Sequence, residues 1–269
     1  MIFTVKNDFM ISALLVNPDR CMSVTISSNE KNCNPIYHGI KDRCTRESLL
    51  CRRTSMKEML SSHDYMHSIL SLHSKWGIGH MTEHFLPDDL FHEILDLLKS
   101  SNDELFFDED HLCYLHSMTQ RTLAESEIDL FIHCQALSDL VVDGNLDFYD
   151  QKVHLTLSQR KKYFNHLLHV FETNSNLTFK LAKEPMILDF KYQTNQCIFL
   201  SDQFSYIRLN TYNWANNLAI INHPNLKHMF DRFFNAVWND ATSELLSDYS
   251  EIHSFFVHII QQINILSEI

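Results

Sequence analysis

The sequence predicts an α/β protein: a mixed sheet flanked by helices, with a helical C-terminal end. Two observations carry that reading. Apolar runs of strand length at 128–134, 177–181, 186–190, 196–200, 206–209 and 218–221 lie among segments whose apolar residues recur every three to four positions. The last such segments, from Leu226 onward, repeat at helical spacing to the end of the chain.

Taken in order, residues 1–34 read as strand-like pieces at 9–11 and 22–26, interrupted by the turn Asn17-Pro18-Asp19. Residues 44–71 have no Gly or Pro and read as helical. Arg43, Arg46, Arg52, Arg53 and Lys57 make this the basic stretch of the chain, expected on a solvated face. Residues 88–99 open with Asp88 and Asp89 and close with Lys99, the charge order a helix dipole favours. A further helix is expected over 104–126, and 128–134 reads as a buried strand.

Thr156 or Ser158 can cap a helix over 159–172, where Phe164, Leu167, Leu168 and Phe171 form one stripe. The strand runs at 177–181, 186–190, 196–200, 206–209 and 218–221 then imply sheet building. Asn222-His223-Pro224-Asn225 leads into a helix carrying Leu226, Met229, Phe230, Phe233, Phe234, Val237 and Trp238. The closing stripe of Ile252, Phe255, Phe256, Ile259, Ile260, Ile263 and Leu266 must be covered, either by docking on the same chain or by a second copy. The domain expectation is an N-terminal segment of uncertain structure over 1–60 and an α/β sensor-like domain over 61–269.

Composition narrows the function classes. With 269 residues, 45% of them apolar, the chain can bury a sizeable core. Its 22 Lys and Arg against 34 Asp and Glu give a net charge of -12, which opposes the counterion release that drives binding to phosphate backbones. Direct nucleic-acid binding is therefore not expected. Lys6, Asn7 and Asp8 break the pattern of a signal peptide, and no apolar run is long enough to span a membrane, so a cytoplasmic protein without membrane partners is expected. The seven cysteines include no C-x-x-C pair and read as reduced thiols. Four glycines leave no phosphate-cradling loop and no G-x-S-x-G nucleophile elbow.

Histidines are abundant, and His63, His67, His73, His80 and His84 crowd one short region. His63 and His67 are spaced to share a helical face beside Asp64. The string His80-Met81-Thr82-Glu83-His84 is H-x-x-E-H and resembles the zinc motif of inverted-zincin peptidases. That resemblance implies that His80 and His84 bind zinc from one helical face while Glu83 polarises a water. The acidic third ligand such peptidases carry is missing from 160–165, which read Arg, Lys, Lys, Tyr, Phe and Asn. His73-Ser74-Lys75 opens the H-x-K-x-x-x-x-D pattern of phospholipase-D-type transferases, but His80 stands where the Asp belongs.

A second resemblance covers residues 60–269. Asn195-Gln196-Cys197-Ile198-Phe199-Leu200, then Leu218-Ala219-Ile220-Ile221-Asn222-His223-Pro224, then a helix ending Phe233-Phe234-Asn235-Ala236-Val237-Trp238 resemble the phospholipase-D-like effector regions of Firmicute helix-turn-helix transcription regulators. Trp76-Gly77-Ile78-Gly79-His80-Met81-Thr82-Glu83 is similar to the first part of such regions. No three-helix DNA-reading unit is legible before residue 60. The resemblance implies a non-catalytic sensor or interaction domain, without cofactor, answering to a small molecule or a protein partner and pairing as a homodimer through the C-terminal helices. Trp76, Tyr206, Arg208 and Trp214 are its expected ligand contacts, being aromatic or cationic residues outside the apolar stripes. The alternative is a zinc-dependent hydrolase built on His80, Glu83 and His84.

Overall fold

Alternating apolar residues and helical stripes resolve, in the computed structural model, into two compact units, 1–50 and 51–269. The structure describes residues 2–4, 9–17, 20–46, 51–62, 64–100, 108–183, 196–209, 217–239 and 245–268. The first unit is an antiparallel sheet of β1 (Ile2–Thr4), β2 (Met10–Asn17) and β3 (Arg20–Ser27), followed by α1 (Glu30–Arg46). Division of the chain thus falls at 50/51, earlier than the boundary expected at 60.

The second unit opens on β4 (Cys51–Thr54), α2 (Met56–Ser61) and α3 (Asp64–Ile69). The continuous helix expected over 44–71 is therefore corrected. Cys51 to Thr54 pair antiparallel with a neighbouring strand, and Ser55 with Glu58 form a reciprocal capping box that starts a new helix. Exposed Arg52 and Arg53 suit this position, because charged side chains protect an edge strand from adding another.

Next come β5 (His73–Ile78), a 3₁₀ turn at Glu83–Phe85, α4 (Asp88–Ser100), α5 (Glu109–Glu125), β6 (Glu127–His133) and α6 (Cys134–Asp143). β7 (Asn145–Phe148) and β8 (Gln151–His154) form a separate hairpin, and α7 (Leu157–Thr173) starts at a Thr156–Gln159 capping box. The chain ends with β9 (Leu177–Ala182), β10 (Cys197–Ser201), β11 (Tyr206–Arg208), β12 (Leu218–Ile221), α8 (Pro224–Trp238), β13 (Leu245–Leu246) and α9 (Tyr249–Ser267). The strand expected at 186–190 lies outside the described residues.

The mixed sheet runs β13-β9-β6-β5-β10-β11-β12-β4. β9, β6 and β5 are parallel, and every other pairing is antiparallel. β5 is thus the seam between a parallel half and an antiparallel half. The α/β architecture with flanking helices and a helical C-terminal end agrees with the sequence reading.

Alternation along the strands sorts side chains onto two faces. On one, Trp76, Ile78, Leu130, Ile132, Phe199 and Tyr206 join the large core with residues of α2 to α7 and α9. α9 turns Ile252, Phe256, Ile259 and Ile263 inward and packs on α7 and α6, so that part of its stripe is covered by its own chain, while Phe255 and Ile260 are half-buried and Leu266 is exposed. The second face is smaller: Phe131, Ile198, Leu200 and Ile221 meet Phe234 of α8. Gly77 sits opposite Phe131 in the register, and a Cβ there would come within 2.6 Å of the ring, so only glycine leaves the space. No helix among the described residues is long and apolar enough to cross a membrane.

Candidate functional site

β5 delivers His80, Thr82, Glu83 and His84 just beyond its C-terminal end, where open α/β sheets usually bind ligands. His80 precedes the 3₁₀ turn and Glu83 with His84 lie in it, so the motif is not one face of an α-helix, and that part of the zincin expectation is corrected. All four side chains are buried. They meet the β7–β8 hairpin, whose two-residue turn Tyr149-Asp150 has φ of 48° and 66°. Positive φ at both positions matches the right-handed twist of a hairpin, yet neither residue is the glycine or asparagine that such a turn favours.

The surroundings hold that turn in place. Tyr149 N–H donates to Glu83 Oε2 (3.3 Å), Asp150 N–H to Asp147 Oδ1 (3.0 Å), and Met56 N–H to Asp150 Oδ2 (3.1 Å). Thr82 forms a parallel bridge with Asp147, and Tyr163 donates to the Thr82 carbonyl.

At the centre is Arg208, fully buried on β11. Its Nη1 donates to both oxygens of Glu83 at 2.9 Å, and its Nη2 lies 2.7 Å from Asp147 Oδ1, close but off the hydrogen-bonding direction. Nε is 3.7 Å from Asp150 Oδ1 and makes no hydrogen bond. Glu83 Oε1 also accepts from Tyr65 Oη (3.1 Å). Burial opposes the Arg208 charge, but Asp147, Glu83 and Asp150 push its pKa well above the usual arginine value.

His80 donates from Nε2 to Asp147 (3.2 Å), while Nδ1 faces Cys197 Sγ at 3.4 Å. Burial would lower its pKa, but Cys197 and Asp147 raise it to about 10. Asp147, which burial alone would raise, is held at about 2 by Arg208 and His80. Burial drives His84 the other way, to about 4, so it is neutral at pH 7. Its ring stacks on Phe199 (4.9 Å between centroids) and meets Trp76 edge-on. The hydrogen bonds assign its tautomer: Tyr65 donates to Glu83 and accepts from His84 Nε2–H (3.3 Å), leaving Nδ1 to accept from Thr82 Oγ1 (2.8 Å).

Cys197, His80 and Asp147 have the connectivity of a nucleophile, a base and an orienting acid. Arg208 and His80 face three carboxylates, Glu83, Asp147 and Asp150, and Cys197 Sγ lies 3.4 Å from both the His80 carbonyl oxygen and Nδ1 of its ring. Cys197 is fully buried, so no substrate atom can approach the sulfur.

Of the expected ligand contacts, Trp76, Tyr206 and Arg208 all lie in the interior, and Trp214 lies outside the described residues. Trp76 and Tyr206 flank a crevice of about 10 Å³, the space of a single water. His80 and His84 have different partners, and the described residues contain no group of three His, Cys, Asp or Glu that could hold a metal. Asp64 pairs with Arg52 at 2.8 Å, and His63 lies outside the described residues. Among the described cysteines, Cys33, Cys113, Cys134 and Cys197 are free thiols. Sequence reasoning missed Tyr65, Asp147 and Asp150. A turn without glycine gave no hairpin signal, and nothing local marks an acid that will meet an arginine far along the chain.

No family model matches the chain, and no curated protein does. A solved structure, the archaeal chromatin protein TrmBL2, described as showing a novel mode of DNA binding, aligns over 77% of this chain at 8% identity with a TM-score of 0.31. The chain spans 60% of that protein's length, and a likeness this weak carries no argument about fold or function.

Proposed function

We propose that the chain is a non-catalytic sensor or interaction domain, of the kind found as effector regions of bacterial transcription regulators. One observation carries this reading: Glu83, the residue a zinc hydrolase would need as its water-polarising base, is instead held by both oxygens on buried Arg208 and further engaged by Tyr65 and the Tyr149 amide. A carboxylate accepting four hydrogen bonds from three groups, in a site 2% exposed, has no free lone pair with which to act as a base. The hub is then a structural keystone that fixes the β7–β8 hairpin and the turn after β5 to the sheet. The small-molecule or protein partner is met elsewhere on the surface. A second copy pairing through the closing helices would use Met229 and Phe233, the exposed apolar residues of α8.

The test is elemental analysis of freshly purified protein, followed by zinc titration of the metal-stripped chain. Trace zinc and no saturable site are expected. Stoichiometric zinc that disappears in His84→Ala would replace this reading with the hydrolase.

A further inference from the structure

The first unit contains a strand with little around it. Its sheet runs β1-β2-β3, so β3 has a neighbouring strand on one side only among the described residues. α1 is tied to the end of β3, where the Cys33 thiol donates to the Ser27 carbonyl at 3.3 Å, and Met10 and Cys33 are the buried apolar residues described in this unit. Val24, Thr25 and Ile26 follow one another and are all exposed, Val24 at 56% and Ile26 at 70%. Successive side chains of a strand point to opposite faces, so neither face of β3 is covered at these positions.

Edge strands of native proteins are usually guarded by charge, by proline or by a covering element. β4 of the second unit follows that rule with Arg52 and Arg53. β3 does not: Cys21 to Ser27 contains no Asp, Glu, Lys, Arg, His or Pro, and alternates Met22, Val24 and Ile26 with Ser23, Thr25 and Ser27. That composition selects the occupant. A chain with a net charge of -12 repels a second copy over most of its surface, and a stretch without charge is where two copies can approach. The segment is also complementary to itself. Set antiparallel about a two-fold axis at Thr25, each Val24 lies opposite the second copy's Ile26 and each Ser23 opposite a Ser27, with no like charges facing. A strongly basic or acidic partner segment would find no counter-charge here.

We propose that β3 is the docking edge for a second copy of this chain, the two strands pairing antiparallel about Thr25 so that two three-stranded sheets join edge to edge. The eight residues of β3, at about 3.3 Å each, make an edge about 26 Å long. One strand edge of that length covers less than the about 800 Å² per partner of a permanent interface, so the pairing is reversible and rises with concentration. It uses neither Met229 nor Phe233 of α8, and it stands independently of the sensor reading.

The experiment is sedimentation equilibrium of the full chain at rising concentration, up to about 0.3 mM. The parent is expected to move from monomer towards dimer. Val24→Lys and Ile26→Lys, both at exposed positions, should each weaken association by about tenfold or more, since symmetry enters every substitution twice. Each lysine also lowers the net negative charge, so general repulsion would change the other way. Leu97→Lys, at an exposed apolar position of α4, should associate as the parent does. Thr25→Cys should form a disulfide-linked dimer with oxidised glutathione faster than the parent, because residues opposite each other in antiparallel strands have Cα atoms about 4.5–5.5 Å apart, within disulfide reach. Circular dichroism establishes that each variant is folded. The inference is overturned if the parent stays monomeric throughout, if folded Ile26→Lys associates as the parent does, if Thr25→Cys cross-links no faster than the parent, or if Phe233→Lys abolishes association and Ile26→Lys does not. None of these outcomes alters the zinc measurement, so failure here and failure of the sensor reading are separable.

Discussion

The two faces of the large sheet use the same residue types for opposite ends. On the thickly covered face, arginine, histidine and carboxylates are withdrawn from water and set against one another as ion pairs, although Arg208 Nε and Nη2 and Asp150 Oδ1 make no hydrogen bond. On the face that α8 covers, lysine, histidine and carboxylates line an open cleft, and the pairing is incomplete. A buried charge without a counter-charge costs several kcal/mol, so a dry hub has to bring opposite charges together, whereas a solvated cleft can leave a carboxylate to water. The motif that looks most like chemistry in the sequence, H-x-x-E-H, is on the buried side.

That contrast breaks first at Arg208. Replacing it with Met leaves Glu83 and Asp147 buried without their cation, and chemical denaturation is expected to show a loss of about 3–5 kcal/mol. Arg208→Lys should recover little, since an ammonium cannot hold both Glu83 oxygens and Asp147 in one plane. Adding Glu83→Gln and Asp147→Asn to Arg208→Met should restore part of the loss. A Met variant as stable as the parent would mean the hub is no keystone.

The pH dependence of stability sharpens the comparison. His80 is raised from 6.5 to about 10 in the folded chain, so its contribution is complete below pH 6.5 and fades as pH rises towards 10. His84 is lowered from 6.5 to about 4, so its contribution is complete above pH 6.5 and fades as pH falls towards 4. Asp147, lowered from 3.8 to about 2, adds a further loss below pH 4. Thermal unfolding across pH should therefore peak near pH 6.5. His80→Gln should flatten the alkaline limb and leave the acid limb standing, and a symmetric flattening would contradict the assignment.

The smallest effect belongs to the cleft. Lys75 and Asp231 are each 30% exposed on their side chains, and solvent screens such a pair. Lys75→Met is expected to change stability by less than about 1 kcal/mol in urea titration. A larger loss would move this side of the sheet into the structural class.

Much of the fold was legible in the chain, because period and capping are local. Asp88, Asp89 and Lys99 marked α4 from both ends, Thr156 marked the start of α7, and the alternating runs placed β6, β9, β10, β11 and β12. Local signals failed where pairing partners decide. A helical composition over 44–71 concealed β4, which exists because β12 offers it an edge. Arg208 was marked as a cation in an apolar strand, a sound signal, but one that cannot tell a ligand contact from an internal counter-ion.

By itself the sequence determined the α/β class, the helices with clear caps and stripes, and which residue types would be chemically interesting, since each depends on neighbours within a few positions. Tertiary structure alone decided that Glu83, Asp147 and Arg208 would be set against one another in the interior. Charges acquire meaning from what surrounds them in space, and residues so far apart along the chain are brought within 3 Å only by folding.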